Sequence, residues 1–144
     1  MIEFEVIGIP MPQGSMKAFN AGGHARMKPS GGPGFAAWRN AVSQAAKDIA
    51  GHADIQAPLD GPLGLSIEFR FPMPASRPKA ARAAGRAWKT TSPDTDKLIR
   101  CIGDALTAAA LIADDARFCA IEAIKVEVTG WTGAIIRITR EAAA

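Results

Sequence analysis

Apolar and polar positions alternate with recognisable periods along most of the chain. Residues 2–9 (IEFEVIGI) begin as apolar–polar alternation rich in β-branched side chains, which predicts a strand ended by Pro10 and Pro12. Residues 35–50 put Trp38, Ala41, Val42, Ala45, Ala46 and Ile49 on one face, the spacing of an amphipathic helix stopped by Gly51. Residues 63–71 alternate strictly, with Leu63, Leu65, Ile67, Phe69 and Phe71 pointing one way, and predict the best-defined strand. Residues 93–109 predict a second helix with a stripe of Leu98, Ile102, Ala105, Leu106 and Ala109; Thr91 or Ser92 is its expected cap and Pro93 suits its first turn. Residues 117–128 read as a strand with Ile124, Val126 and Val128 on one face. A turn at 129–133 and a closing strand at 134–140 then predict a terminal hairpin. The order β-α-β-α-β-β predicts an α+β fold: one domain over residues 1–144, a small mixed sheet with helices packed on it.

Two segments lack such periods. Residues 10–34 hold six glycines, four prolines and scattered bases, and are expected to form a long mobile loop. Residues 72–92 are a second basic connector, partly helical around Ala80 to Ala84. The net charge of +3 and pI near 9.1 say little, but the distribution says more. Residues 6–47 contain no acid, and neither do residues 77–90, whereas five of the fourteen acids fall between Asp94 and Asp115. Clustered acids flanked by bases suit a polyanion held near bound metal. Ordinary solvated surface gives the same charge pattern. Lys17, Arg26, Lys28, Arg77, Lys79, Arg82, Arg86, Lys89 and Lys97 are the candidate DNA-phosphate contacts. Trp88 and Phe19 are candidate base-stacking side chains, with plain packing as their default role.

Several chemistries are excluded. Cys101 and Cys119 form no zinc pattern and are expected to be buried free thiols. His24 and His52 are expected in loops, and no Ser/His/Asp or Cys/His set is apparent. No run reaches the roughly 18 apolar residues of a membrane helix. The first ten residues carry acids where a signal peptide carries bases, so a cytoplasmic protein is expected.

The chemical signal is PDTDKLIR followed by DALTAAALIADD. A hard divalent cation takes carboxylate oxygens, water and phosphate, and it polarises a phosphodiester. In a regular helix residues two apart point about 200° from each other, so Asp94 and Asp96 meet only if Asp94 precedes the helix. Acids at a helix start are also favoured by the helix dipole alone.

The stretch from Asp94 to Phe118 resembles the core motif of RusA-like Holliday junction resolvases: D-x-D-N-x-x-K, a helix ending in D-A-L, a short apolar run, then D-D. Here it reads D-T-D-K-L-I-R, then Asp104 to Leu106, then L-I-A-D-D. The early strand, basic loop and helix are similar too. The resemblance implies a Mg2+-dependent endodeoxyribonuclease, with Mn2+ as a substitute, that resolves four-way DNA junctions by symmetric paired nicks in recombination and repair. It implies Asp94, Asp96 and Asp115 as metal ligands. The family's lysine falls on Arg100, which keeps a phosphate clamp but not a proton donor. The family's asparagine falls on Lys97. Asp104, four residues after Arg100, is expected to form an intrahelical ion pair with it.

A helix from Asp94 to Ala109 is about 22 Å long. Asp115 therefore reaches Asp94 and Asp96 only if the chain folds back over six residues, which span at most ~20 Å, or if it comes from a partner. We expect a composite site across a homodimer, with Ala105 and Ala108 to Ala110 allowing close helix approach. A less selective flap or single-strand nuclease would use the same acids. A non-catalytic DNA-binding module would not need them.

Overall fold

The computed structural model describes residues 1–14, 16–29 and 32–142 of the 144-residue chain, with backbone alone over 16–21 and 25–29. The strands are β1 (Ile2–Ile7), β2 (Met16–Ala21), β3 (His24–Pro29), β4 (Leu63–Pro72), β5 (Arg86–Trp88), β6 (Phe118–Val128) and β7 (Gly133–Arg140). The helices are α1 (Phe35–Ala50), α2 (Lys79–Ala84) and α3 (Thr95–Ala108), with a single 3-10 turn at Asp115–Arg117. Five strands form one sheet in the order β1-β7-β4-β6-β5, in which only the β4–β6 pair is parallel. This is the expected α+β domain with a mixed sheet.

The strict alternation of β4 explains its central place. Leu65, Ile67 and Phe69 stand opposite Ile138, Ile136 and Ala134 of β7, and β1 adds Phe4 and Val6 to the same face. Trp38, Val42 and Ala46 of α1 and Leu98, Ile102, Ala105 and Leu106 of α3 join those side chains in one core. Each fully buried Leu or Ile stabilises the fold by about 1.5–3 kcal/mol. The other face is more polar, although Val126 and Val128 of β6 are buried there. It carries the Glu3–Arg137 pair at 2.9 Å and Glu68, which bonds Arg70 at 2.9 Å and Arg86 at 2.8 Å.

Four expectations are corrected. Residues 10–34 are not one long loop: they contain the β2–β3 hairpin, a two-stranded unit outside the main sheet, and His24 opens β3. Its turn is Gly22-Gly23, with φ of 60° and 81°, values that glycine adopts without strain. The side chains of Lys17, Phe19, Arg26 and Lys28 lie outside the described residues. Residues 118–140 do not form a hairpin, because β4 lies between β6 and β7 and pairs with both. Helix α3 begins at Thr95 with Asp94 as its cap residue, not Thr91 or Ser92. Lys125 on β6 donates to the carbonyls of Thr91 (2.9 Å) and Pro93 (2.8 Å), which holds that entry out of the helix. Finally, Cys101 is buried, its thiol pushed up to about 12 by burial, but Cys119 is exposed. No helix among the described residues is long and apolar enough to cross a membrane.

Candidate active site

The site is built on α3 and the chain that leaves it. Asp94 is extended, with φ −67° and ψ 139°, and its carbonyl accepts the Leu98 N–H at 3.2 Å. Its carboxylate is exposed and faces Lys97 at 3.6 Å, an ion pair of little energetic weight in solvent. Asp96 lies exposed in the first turn.

At the other end the chain reverses. Ala110 has a positive φ of 58°, and the Leu111 N–H returns to the Leu106 carbonyl at 3.1 Å. Leu111 and Ile112 are buried, and backbone bonds of 2.8 Å from Leu59 N–H to Leu111 O and from Ala113 N–H to Leu59 O pin the reversal. Asp114 accepts the Ala116 N–H at 2.7 Å and so starts the 3-10 turn. Asp115 then rests against α3 at Gly103, where a Cβ would sit 3.2 Å from Asp115 Cβ and 3.3 Å from its Oδ2. The absent side chain of Gly103 makes the berth for that carboxylate.

Asp96, Arg100 and Gly103 recur at i, i+4 and i+7, so they share one face of α3. Asp115 is therefore on the face of Asp96, with Arg100 between them. The fold-back is partial: seven residues separate Asp96 from Gly103, a rise of about 10 Å. Asp94 and Asp96 form one group of acids, and Asp104, Asp114 and Asp115 a second. Among the described residues no three His, Cys, Asp or Glu side chains converge on one ion. Burial, a hydrogen bond with Asp114, and the charges of Asp104 and Asp114 raise the Asp115 carboxyl above the ordinary aspartate value. The second group is thus short of positive charge.

Asp104 does not pair with Arg100. It accepts a hydrogen bond from Gln13 Nε2. Gln13 is 2% exposed, donates its backbone N–H to the Lys97 carbonyl at 3.0 Å, and leaves its buried Oε1 without a partner among the described residues. Gln13, Gly103 and Lys125 were invisible to sequence reasoning, because each acts across a large sequence separation. Carboxylates and an orphaned amide oxygen are hard donors, the set that Mg2+ or Mn2+ prefers. The residues present fit such an ion.

The model of the endodeoxyribonuclease RusA family matches residues 8–139. The chain belongs to this family. No curated protein matches it.

The basic residues of this RusA-family domain divide by environment. Arg77 is half-buried and grips Glu127, itself 2% exposed, through Nε (2.6 Å) and Nη2; it also donates to the Trp88 carbonyl at 3.1 Å. Arg86 is bound to Glu68, and the Glu68 carboxyl is held below its usual range chiefly by that guanidinium. Lys89 lies 5.0 Å over the Phe71 ring and donates to Thr91 Oγ1 at 3.0 Å. Lys79 and Arg82 are exposed on α2, Lys97 and Arg100 on α3. Trp88, on the edge strand β5, is 65% exposed. The apolar stripe of α3 is not free for a partner helix, since Ala105 is buried in the chain's own core and Ala109 is 7% exposed. Only Ala108 and Ala110 of the expected small-residue contact are exposed.

Proposed function

We propose that this endodeoxyribonuclease family member resolves four-way DNA junctions by paired symmetric nicks, using Mg2+ (or Mn2+), and that it works as a homodimer. One observation carries the reading: on the face of α3 that bears Arg100, Asp96 and the berth of Asp115 at Gly103 lie seven residues apart, a rise of about 10 Å. Asp94 and Asp96 of one chain and Asp115 of its partner would hold the ion, because the axial gap within one chain is too long for a single coordination sphere. When bound, a divalent cation supplies polarisation of the scissile phosphodiester and acidity to an attacking water.

The protein's own groups supply the rest. Arg100 grips a non-bridging phosphate oxygen pair and stays charged throughout, so it stabilises developing charge without moving a proton. Lys97 adds positive charge beside Asp94 for the approaching backbone. The exposed Lys79 and Arg82, the half-buried Lys89, and Lys17, Arg26 and Lys28 would fix the register of the DNA through phosphates. Two sites related by a two-fold axis match the paired cuts that a four-way junction needs.

The test is incubation with a labelled immobile four-way junction and Mg2+, beside linear duplex and flap substrates. Paired nicks on the junction alone, lost in Asp96→Asn while binding persists, are the expected result. Equal cutting of all substrates would reduce the reading to a general nuclease. Binding with no metal-dependent cutting would leave a DNA-binding module.

A further inference from the structure

The side of β6 that faces away from β4 is only partly covered. β5 pairs with it at residues 126–128, and the Lys89 N–H reaches the Lys125 carbonyl at 3.1 Å. Before Lys125, no strand among the described residues pairs with that side. Residues 118–124 read FCAIEAI, one acid among apolar side chains. Cys119, Ala120, Ile121 and Glu122 are exposed, Ile121 by 49%. An edge without the lysines or proline that keep strands apart is a template for another strand. Its main chain is set for pairing. The Lys125 carbonyl and the Thr129 N–H both face β5, so by the alternation of a ladder the N–H and C=O of Ala123 and Ile121 face the open side. The register shift beside Leu63 and Gly64 falls before Ala120 and does not break that alternation.

The open stretch runs between the two acid groups. Phe118, its first residue, follows the Asp115–Arg117 turn. Just past its other end, Lys125 holds the carbonyls of Thr91 and Pro93 at the entry to Asp94. Antiparallel pairing of a strand with its own copy exchanges the ends, and so carries Asp115 of one chain towards Asp94 and Asp96 of the other.

We propose that the open edge of β6 pairs antiparallel with the same edge of a second copy, about a two-fold axis at Ile121. The two five-stranded sheets then join into one. β5 and the single acid fix the register. A two-fold pair of strands places one residue opposite itself. Centring on Glu122 sets like charges face to face and drives the start of the partner strand into the place that β5 takes beside Val126. Centring on Ile121 avoids both. It sets Ala120 against the partner's Glu122, and Ile121 against the partner's Ile121 where both main-chain hydrogen bonds form. Ile121 stands beside Leu65, on the face of the sheet that carries α1 and α3. An axis perpendicular to the sheet keeps the α3 helices of both copies on that side, as a shared metal set requires. The interface deepens the junction-nuclease reading and rests on it for the need of a second chain.

The experiment reads association, with cleavage as a separate measurement. Ile121→Cys and Ala123→Cys are each made in the full chain with Cys119→Ser, oxidised, and run on non-reducing gels; Cys101 is buried and stays. At the axis the two Cα atoms stand about 5.5 Å apart, within the span of a disulfide. Ile121→Cys is expected to link as a dimer. Position 123 lies roughly 13 Å along the strands from its own copy, so Ala123→Cys is expected to stay single. Ile121→Asp sets like charges face to face at an exposed position. It is expected to unfold in urea as wild type does, but to sediment as a monomer and lose junction cleavage. A wild-type dimer in which Ile121→Cys does not link and Ile121→Asp stays dimeric overturns this interface and leaves the dimer standing. Equal linking of both cysteine variants also overturns it, as the mark of random collision. A wild-type chain that is monomeric while it cuts junctions overturns the interface and the shared metal set together. A dimer linked through Ile121→Cys that cuts no junction sinks the resolvase reading and supports the interface.

Discussion

Gly103 leaves the space against which the Asp115 side chain rests. In the middle of a helix glycine costs about 0.5–1 kcal/mol relative to alanine. Here an added Cβ would press on Asp115 at 3.2 Å, so the neighbour must give by a few tenths of an ångström. The two effects oppose each other in stability but not in function. Gly103→Ala should therefore unfold within about 1 kcal/mol of wild type in urea while junction cleavage falls about tenfold or more, a split that loss of fold would not produce. Asp115 itself is held against its own preference. Its folded carboxyl is raised above the ordinary value of 3.8, so protonation favours the fold; that stability is present below pH 3.8 and lost as pH rises through the raised value. In EDTA, Asp115→Asn should melt higher than wild type at pH 7, and the gap should close below about pH 3.8. Asp94, Asp96 and Asp115 could be singled out as candidates because they sit in a spaced motif. Gln13 was not, since its partner Asp104 is 91 residues away and nothing local marks it.

At the scale of elements, the basic connector divides into structure and surface. Arg77 holds the buried Glu127 at the β5–β6 boundary, so Arg77→Ala leaves a carboxylate buried without its partner. With Arg77 32% exposed, water relieves part of that penalty, and a loss of about 2–3 kcal/mol is expected in denaturant unfolding. Lys79→Ala, on the exposed face of α2, should leave unfolding unchanged. It should lower junction affinity and reduce the slope of log affinity against log salt by about 1. The difference between these two bases cannot be read from composition, which counts them alike. The long elements could be read: α1 spans residues 35–50 as its apolar face requires, and β4 follows its alternation. The β2–β3 hairpin was hidden because its glycines and prolines read as loop while its apolar alternation is weak. The terminal hairpin was mispredicted because local pattern says where strands are, not which strand a third one will separate.

The whole molecule sets the question of how the acids combine. An axial gap of about 10 Å between the two acid groups on α3 calls for a second chain. Mixing Asp96→Asn and Asp115→Asn chains under exchange conditions tests this directly. If the metal set is shared between chains, each mixed dimer has one intact and one dead site, and single nicks reappear without paired cuts. If each chain works alone, every site carries a lesion and the mixture stays silent.

The order of the sheet has a consequence for how the protein is made. β7, which follows the other strands of the sheet in the sequence, is inserted between β1 and the central strand, β4. Until it emerges from the ribosome, β1 has no neighbour in the sheet, and the core face of β4 is open along one side. Local helices can form early, but the sheet closes only through the pairing of β1 with β7, far apart in the sequence, a slow step in chains dominated by distant pairings. The berth for Asp115 should therefore be completed only once β7 has been made, and shortening the chain within β7 should abolish the fold rather than trim an edge.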